Sequence, residues 1–168
     1  MVYINNKDNS SRFVLGEEGV NPLFVFGVNP STADDKTPDR TFAKIKKFVY
    51  QNSFDGFYIF NLYPLRSTNP MDLPQKVQYK LVKQNLVHIK NYISKYDKPN
   101  IWAAWGDSIY LRNYLIQSFN QIVNLIDSFD STWYTCVSLT KKGQPRHPSR
   151  LPYKSKLISI NVDILSID

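Results

Sequence analysis

The fold is decided by one short stretch, Leu23-Phe24-Val25-Phe26-Gly27-Val28-Asn29-Pro30-Ser31-Thr32. Its first six residues carry no charge and are rich in aromatic and β-branched side chains, which is typical of a strand buried on both faces. The Asn-Pro pair then ends the strand, because asparagine and proline together favour a turn. A buried strand that runs directly into a polar loop predicts a parallel sheet with ligand-binding loops at its carboxyl end.

Apolar runs alternate with segments of helical period through the rest of the chain, which is the pattern of βαβ units. We predict strands at 23–28, 56–62, 101–105 and 133–139, and helices at 40–50, at 77–96 and from Asp107 or Ser108 through Leu115. Right-handed crossovers make these four strands parallel, with helices on both faces. The sequence therefore predicts an α/β fold: a three-layer αβα sandwich with a central four-stranded, mainly parallel sheet, in a single domain over 1–168. Residues 12–15 are expected to add an edge strand, and 156–165 fit a strand or a helix equally well.

Composition excludes several classes of protein. The chain has 168 residues, enough to bury a core without a metal or a disulfide. Its one cysteine, Cys136, excludes an intrachain disulfide, a Cys-rich zinc site and a four-cysteine iron–sulfur cluster, and we expect this side chain in the core. No apolar run approaches the roughly twenty residues that span a bilayer, and the first residues lack a signal peptide's hydrophobic segment. We therefore expect a cytoplasmic protein without a membrane partner.

Charge and aromatic content favour a nucleic acid or a nucleotide as the partner. The formal net charge is +7, and the chain has 3 tryptophans, 11 tyrosines and 10 phenylalanines. Basic side chains neutralise phosphates and aromatic rings stack on bases. A solvated helix face explains much of the charge equally well, since the lysines cluster on two predicted helices: Lys44, Lys46, Lys47, Lys83 and Lys90.

Four loops that follow the predicted strands should meet at one edge of the sheet, because the carboxyl ends of parallel strands lie together. They are 29–35, 61–66, 105–108 and 146–153. Asn29 follows directly after a predicted strand. Ser31 and Thr32 could bind phosphate or water, or they could cap a helix. Asn61 ends an apolar strand, where an unpartnered amide costs about 1–3 kcal/mol. A bound base edge would satisfy that amide, and so would a hydrogen bond between two loops.

Other kinds of site lack their motifs. His147 lies in a basic loop, where a histidine can stabilise negative charge or hold a phosphate, whereas His88 is expected to be structural or exposed. No paired histidine motif, Walker loop, glycine-rich dinucleotide turn or Gly-x-Ser-x-Gly elbow is present. We therefore expect neither a metal nor a cofactor, and no acyl-transfer chemistry.

Three segments carry a resemblance to known families. Gly27-Val28-Asn29-Pro30-Ser31-Thr32-Ala33-Asp34, then Asn61-Leu62-Tyr63-Pro64-Leu65-Arg66-Ser67-Thr68, then His147-Pro148 resemble a family of small uncharacterised bacterial and phage proteins. That family bears an Asn-Pro-Ser-Thr-Ala-Asp signature and implies no activity. The order of the motifs also resembles the uracil-DNA glycosylase superfamily, whose fold is a four-stranded parallel sheet between helices.

The second resemblance implies specific roles. Asn29 would place the attacking water, Phe42 would stack on a flipped base, Asn61 would read a pyrimidine edge, and His147 would stabilise the leaving base's oxyanion. Leu151 would wedge into the duplex. Further substrate contacts are expected from Pro30, Ser31 and Ser149, and phosphate contacts from Arg66, Arg146 and Arg150.

Departures from the superfamily pattern leave alternatives open. Asn29 replaces the aspartate of the most active members, Ser31 stands where mismatch-type members have glycine, and Phe42 also fits the apolar stripe of its helix. Asp34 or Asp35 could supply a carboxylate. The resemblance implies hydrolysis of the N-glycosidic bond of a nucleobase, with a pyrimidine favoured, in DNA or a nucleotide. The alternatives are a catalytically inactive nucleic-acid or nucleotide-binding protein of the same fold, and a protein partner, for instance in phage–host conflict.

Overall fold

A seven-stranded mixed sheet forms the centre of the computed structural model, which describes residues 1–167. Its strands are β1 Val2–Asn5, β2 Arg12–Glu17, β3 Pro22–Gly27, β4 Gly56–Asn61, β5 Asn100–Ala103, β6 Thr132–Cys136 and β7 Leu157–Ile160. Their order across the sheet is β1-β2-β4-β3-β5-β6-β7. Asp168, the last residue of the predicted domain, lies outside the described residues.

The four predicted strands are the adjacent parallel strands β4, β3, β5 and β6. The prediction of a four-stranded sheet was wrong in number, because β1 and β2 add antiparallel strands at one side and β7 adds one at the other. The predicted edge strand at 12–15 is β2, and it lies inside the sheet between β1 and β4. The ambiguous tail contains β7 and a 3-10 helix, Val162–Leu165.

Helices cover both faces of the sheet. They are α1 Arg40–Gln51, α2 Tyr79–Ile93 and α3 Asn113–Ile126. Alternate residues of β3 enter different cores: Val25 packs with α1, and Phe24 packs with α2 and α3. The layers are thus helix, sheet and helix. None of the helices in residues 1–167 combines the length and apolarity needed to cross a membrane.

The predicted helix through Leu115 was wrong in its bounds. A 3-10 helix occupies Gly106–Leu111, and α3 begins only at Asn113. The two helices are separate because the backbone of Arg112, between them, is extended, with φ −147° and ψ 135°. Beyond it an apolar stripe of helical period continues to Ile126, which the sequence interpretation left unassigned. Cys136 is fully buried, as predicted.

The parallel strands end in register, which positions the loops. Gly27 pairs with Asn61, and Phe26 pairs with Ala103. The segments after β3, β4 and β5 therefore leave from the same edge of the sheet, where the sequence predicted a site.

Candidate functional site

A cavity of about 250 Å³ opens at the carboxyl edge of the parallel strands, on the face that α1 covers. All four predicted loops contribute to its wall, through Asn29, Asn61, Trp105 and His147 among others. Its volume lies just below the roughly 300–1,000 Å³ of pockets for drug-sized ligands. The cavity therefore suits a small ligand, of the size of one nucleobase.

The side chain of Asn61 forms part of the cavity wall and is only 3% exposed. Its Nδ2 has no acceptor among residues 1–167. The backbone carbonyl of Asn61 is held from the other side by Nδ2 of Asn85, at 2.8 Å. Gly27 makes room for the amide, because a Cβ there would lie 3.0 Å from Asn61 Oδ1. The position of the Asn61 side chain thus depends on the absence of a side chain at Gly27.

Arg12 is the second buried polar side chain of the wall, and the sequence interpretation gave it no role in the site. It is 4% exposed, its Nη1 donates to Ala33 O at 2.9 Å, and its Nε has no partner in the described part of the chain. Burial, assisted by repulsion from Arg66, lowers the pKa of Arg12 to about 10. Six buried side-chain atoms lack a partner within residues 1–167, and the two on the cavity wall are Arg12 Nε and Asn61 Nδ2. Unpartnered buried groups are costly, so a polar ligand at this wall would relieve them.

Asn29 is fixed in orientation by its own amide nitrogen. Its Nδ2 donates to Pro30 O at 3.1 Å and to Ser67 O at 2.8 Å. The backbone N–H of Ser67 also donates to Pro30 O, at 2.9 Å, so the loops after β3 and β4 are tied together. The remaining polar atom of the Asn29 side chain is Oδ1, a hydrogen-bond acceptor.

The tautomer of His147 is set by the residue two positions on. The backbone N–H of Ser149 donates to His147 Nδ1 at 3.2 Å, and Ser149 Oγ lies 2.8 Å from the same nitrogen. In the neutral ring the proton is therefore on Nε2. Burial lowers the pKa of His147, with Asp39 opposing and Arg150 and Lys44 adding to the shift. His147 thus lines the cavity as a neutral imidazole that donates through Nε2 at neutral pH.

Asp39 supplies a carboxylate to the cavity, whereas the sequence interpretation had suggested Asp34 or Asp35. Asp39 lines the wall and caps α1, with Oδ1 accepting from the backbone N–H of Phe42 at 2.8 Å. Asp34 instead accepts from the backbone N–H groups of Lys36 and Thr37, and neither Asp34 nor Asp35 is among the wall residues. The signal was an aspartate directly before a predicted helix, a typical N-cap.

Of the predicted substrate contacts, the structure places Asn29, Ser31, Phe42, Asn61 and His147 on the cavity wall. Phe42 is also core, since it is 4% exposed and its ring centroid lies 5.3 Å from that of Phe57. Pro30 is buried and Ser149 orients His147, but neither belongs to the wall.

The four residues predicted to contact nucleic acid differ in their exposure and in their hydrogen-bond partners. Arg66 donates to Ser31 O and Ala33 O, and Arg146 donates to Ser138 O and Leu139 O. Only Arg150 is exposed. Leu151 is 3% exposed and packs in the core beneath α1, so a leucine wedge is not presented at the surface.

Comparison with known proteins identifies a family but no activity. A family model described as a protein of unknown function, DUF1643, matches residues 12–149, and the chain therefore belongs to this family. No curated protein and no solved structure matches the chain significantly. The likeness to the uracil-DNA glycosylase superfamily accordingly rests on the order of the motifs.

Proposed function

Since the chain belongs to a family without a known activity, we propose a function from its cavity: recognition of one nucleobase, a pyrimidine, in DNA or a nucleotide, and hydrolysis of its N-glycosidic bond. The cavity suits a single base in size. The wall of the cavity includes residues from the end of β4, the turn after β3 and the basic loop around His147.

The observation that carries the proposal is the buried amide of Asn61, whose Nδ2 has no protein partner in the described chain. A carboxamide offers a donor and an acceptor side by side. The imide edge of uracil or thymine presents the complementary pair, a carbonyl oxygen and an N–H. Binding such a base would remove a penalty of about 1–3 kcal/mol that the empty site carries.

The chemistry requires water and a stabilised leaving group. Water attacks C1′ of the sugar as the bond from C1′ to the base nitrogen breaks, and the base leaves with the electron pair. Nε2–H of His147 would donate to the oxygen on which the negative charge develops. Oδ1 of Asn29 would accept a hydrogen bond from the attacking water, because its Nδ2 is already engaged.

A basic and aromatic surface beside the cavity supports a phosphate-bearing ligand. Nζ of Lys44 and Nζ of Lys47 lie 4.9 and 4.7 Å from the ring centroid of the exposed Tyr153. Lys44 also reaches Ser149 O at 3.4 Å, next to His147. Together with the exposed Arg150, these side chains form a surface on which phosphates could bind and a base could stack.

The chemical nature of Asn29 favours one second candidate, a binding protein that does not hydrolyse. An amide does not accept a proton from water at neutral pH, and this amide is already bonded to two carbonyls. Such a protein would bind DNA with salt-sensitive affinity and release no base.

A strand-scission assay tests the proposal. Purified protein is incubated with single- and double-stranded DNA containing uracil, hypoxanthine, mismatched thymine or modified pyrimidines, and alkali then cleaves abasic sites. We expect scission with at least one pyrimidine, and its loss in Asn29→Ala and His147→Ala. Salt-dependent binding without scission would favour the binding protein, and absence of both with DNA would leave nucleotides or a protein partner.

A further inference from the structure

We propose that Asp39 is the general base, which accepts the proton of the attacking water, while Asn29 only holds that water in place. This inference rests on the proposed hydrolysis. It concerns a residue that neither the motifs nor the family match indicates, and it would explain how a cavity with an asparagine at the superfamily's aspartate position could still hydrolyse.

The other polar side chains of the cavity are unsuited to accepting a proton. His147 uses Nδ1 to accept from the Ser149 N–H, which leaves a donor at Nε2. Arg12 is a cation whose lowered pKa, about 10, still keeps it protonated at neutral pH. Asn29 and Asn61 are amides. The remaining polar wall residues carry a hydroxyl or an indole N–H, neither of which is a base at neutral pH: Ser31, Thr41, Ser67, Thr68, Trp105 and Ser108. Among the described wall residues, Asp39 is the one carboxylate.

The position of Asp39 leaves one of its oxygens for this role. Oδ1 accepts from the backbone N–H of Phe42, which anchors the side chain at the start of α1. The ion pairs found within residues 1–167 are Lys46–Glu17 and Lys98–Asp130, so no ammonium or guanidinium group neutralises Asp39 at contact distance. Oδ2 is therefore the oxygen that can face a water molecule.

The charge of Asp39 acts on both flanking groups of the cavity. It raises the pKa of Arg12 and that of His147, opposing the effect of burial on each. The carboxylate thus lies close enough to interact electrostatically with the buried guanidinium and with the imidazole. This arrangement places a proton acceptor near the hydrogen-bond donor for the leaving group, in the same small space.

The step balances with these groups alone. The water oxygen forms a bond to C1′, the C1′–N bond breaks, and its electron pair leaves with the base as an anion. The water proton goes to Asp39, and the base anion is stabilised by Nε2–H of His147 until solvent protonates it. Asp39 then returns its proton to solvent, and no oxidant, reductant or metal is consumed.

The substitution Asp39→Asn removes the proposed general base and keeps the side chain that caps the helix. Asparagine caps helices as well as aspartate does, so the Phe42 N–H keeps its acceptor and only the basic oxygen is lost. The matched control is Asp34→Asn, an identical change in the same loop, on a carboxylate bonded to backbone N–H groups outside the cavity wall. Asp39→Ser provides a second variant that retains a capping side chain.

Single-turnover base release, oligonucleotide affinity and thermal unfolding are measured for each variant, with release followed across pH. Loss of a general base costs roughly 100- to 10,000-fold in rate. We expect a loss of that size in Asp39→Asn and Asp39→Ser, with affinity and Tm close to wild type, and no change in Asp34→Asn. The pH profile of release should differ between wild type and Asp39→Asn, because only the wild type has the carboxylate.

The failures of the two proposals are distinguishable. If wild type releases base and Asp39→Asn does so at the same rate, the inference is overturned while the proposed function stands. If the two Asp39 variants lose affinity in proportion to rate, Asp39 holds the ligand or the loop and is not the base. If wild type releases no base from any substrate, the proposed function fails and the inference fails with it.

Discussion

Asn61 is the residue on which recognition depends, and we expect Asn61→Ala to separate binding from stability. Its Nδ2 has no partner to lose in the ligand-free protein, so the free energy of unfolding should not fall. Affinity for a base should fall about tenfold or more, which corresponds to roughly 1.4 kcal/mol. Calorimetric titration and urea unfolding measure the two effects.

Asn85→Ala is the control for this prediction. It removes the hydrogen bond to the backbone carbonyl of Asn61, so it should cost about 0.5–1.5 kcal/mol of stability and leave base binding intact. If Asn61→Ala destabilises the protein yet binds the base normally, Asn61 is a structural residue.

Gly27 should act only through Asn61. A Cβ at position 27 would lie 3.0 Å from Asn61 Oδ1, so Gly27→Ala should displace the amide and weaken binding. In the Asn61→Ala background the same change should have no further effect on affinity. A double-mutant cycle measures this coupling, and additive losses would show that Gly27 affects the cavity by another route.

The sequence predicted some of these residues and could not predict others. Asn61 and Asn29 stood out because each is a polar side chain at the end of an apolar strand. Arg12 did not, because a charged residue at the start of a short apolar run resembles an exposed strand end. Its burial depends on the loop that brings Ala33 O within hydrogen-bond distance, which is a tertiary contact.

At the level of elements, Arg66 joins the loop after β3 to the β1–β2 hairpin. It donates to Ser31 O and Ala33 O on one side, and to Tyr3 Oη and Asn9 Oδ1 on the other. Hydrogen bonds from a charged group contribute about 1.5–3 kcal/mol. Arg66→Ala should therefore lower the free energy of unfolding by at least about 1.5 kcal/mol, measured in urea, and leave the salt dependence of DNA binding unchanged.

Arg150→Ala should behave in the opposite way, because Arg150 is exposed beside the cavity. Stability should be unaffected, and the slope of log affinity against log salt should decrease by about one. If Arg66→Ala reduces the salt slope instead, Arg66 binds phosphate, as the sequence interpretation had proposed.

Elements with a strong pattern were predicted, and elements that depend on neighbours were not. The four parallel strands are continuous apolar runs. β1 and β7 have four residues each, too few to show a clear alternation, and they form by pairing with β2 and β6. The 3-10 helix that precedes α3 also contains apolar residues, so the sequence did not show where α3 begins.

For the whole molecule, we expect stability to fall as pH decreases from 7.5 to 5.5. Burial lowers the pKa values of His88, which stacks on Phe13, and of His147. The unfolded chain therefore binds more protons than the folded one below about pH 6.5, which favours unfolding. Urea titrations at both pH values measure the loss, which should be smaller in His88→Gln/His147→Gln. A constant or rising stability would show that the partial burial of the two rings does not disfavour their protonation.

The central claim is that one cavity at the carboxyl edge of the sheet binds a single base through Asn61. The most direct test is a titration of ¹⁵N-labelled protein with free uracil, thymine, cytosine and adenine, followed by NMR. The side-chain amide signal of Asn61 is identified by its absence in Asn61→Ala. We expect uracil or thymine to shift this signal together with the backbone signals of Asn29 and His147. A titration in which every base leaves the Asn61 amide unmoved, or in which only exposed lysine-rich surfaces respond, would contradict the claim.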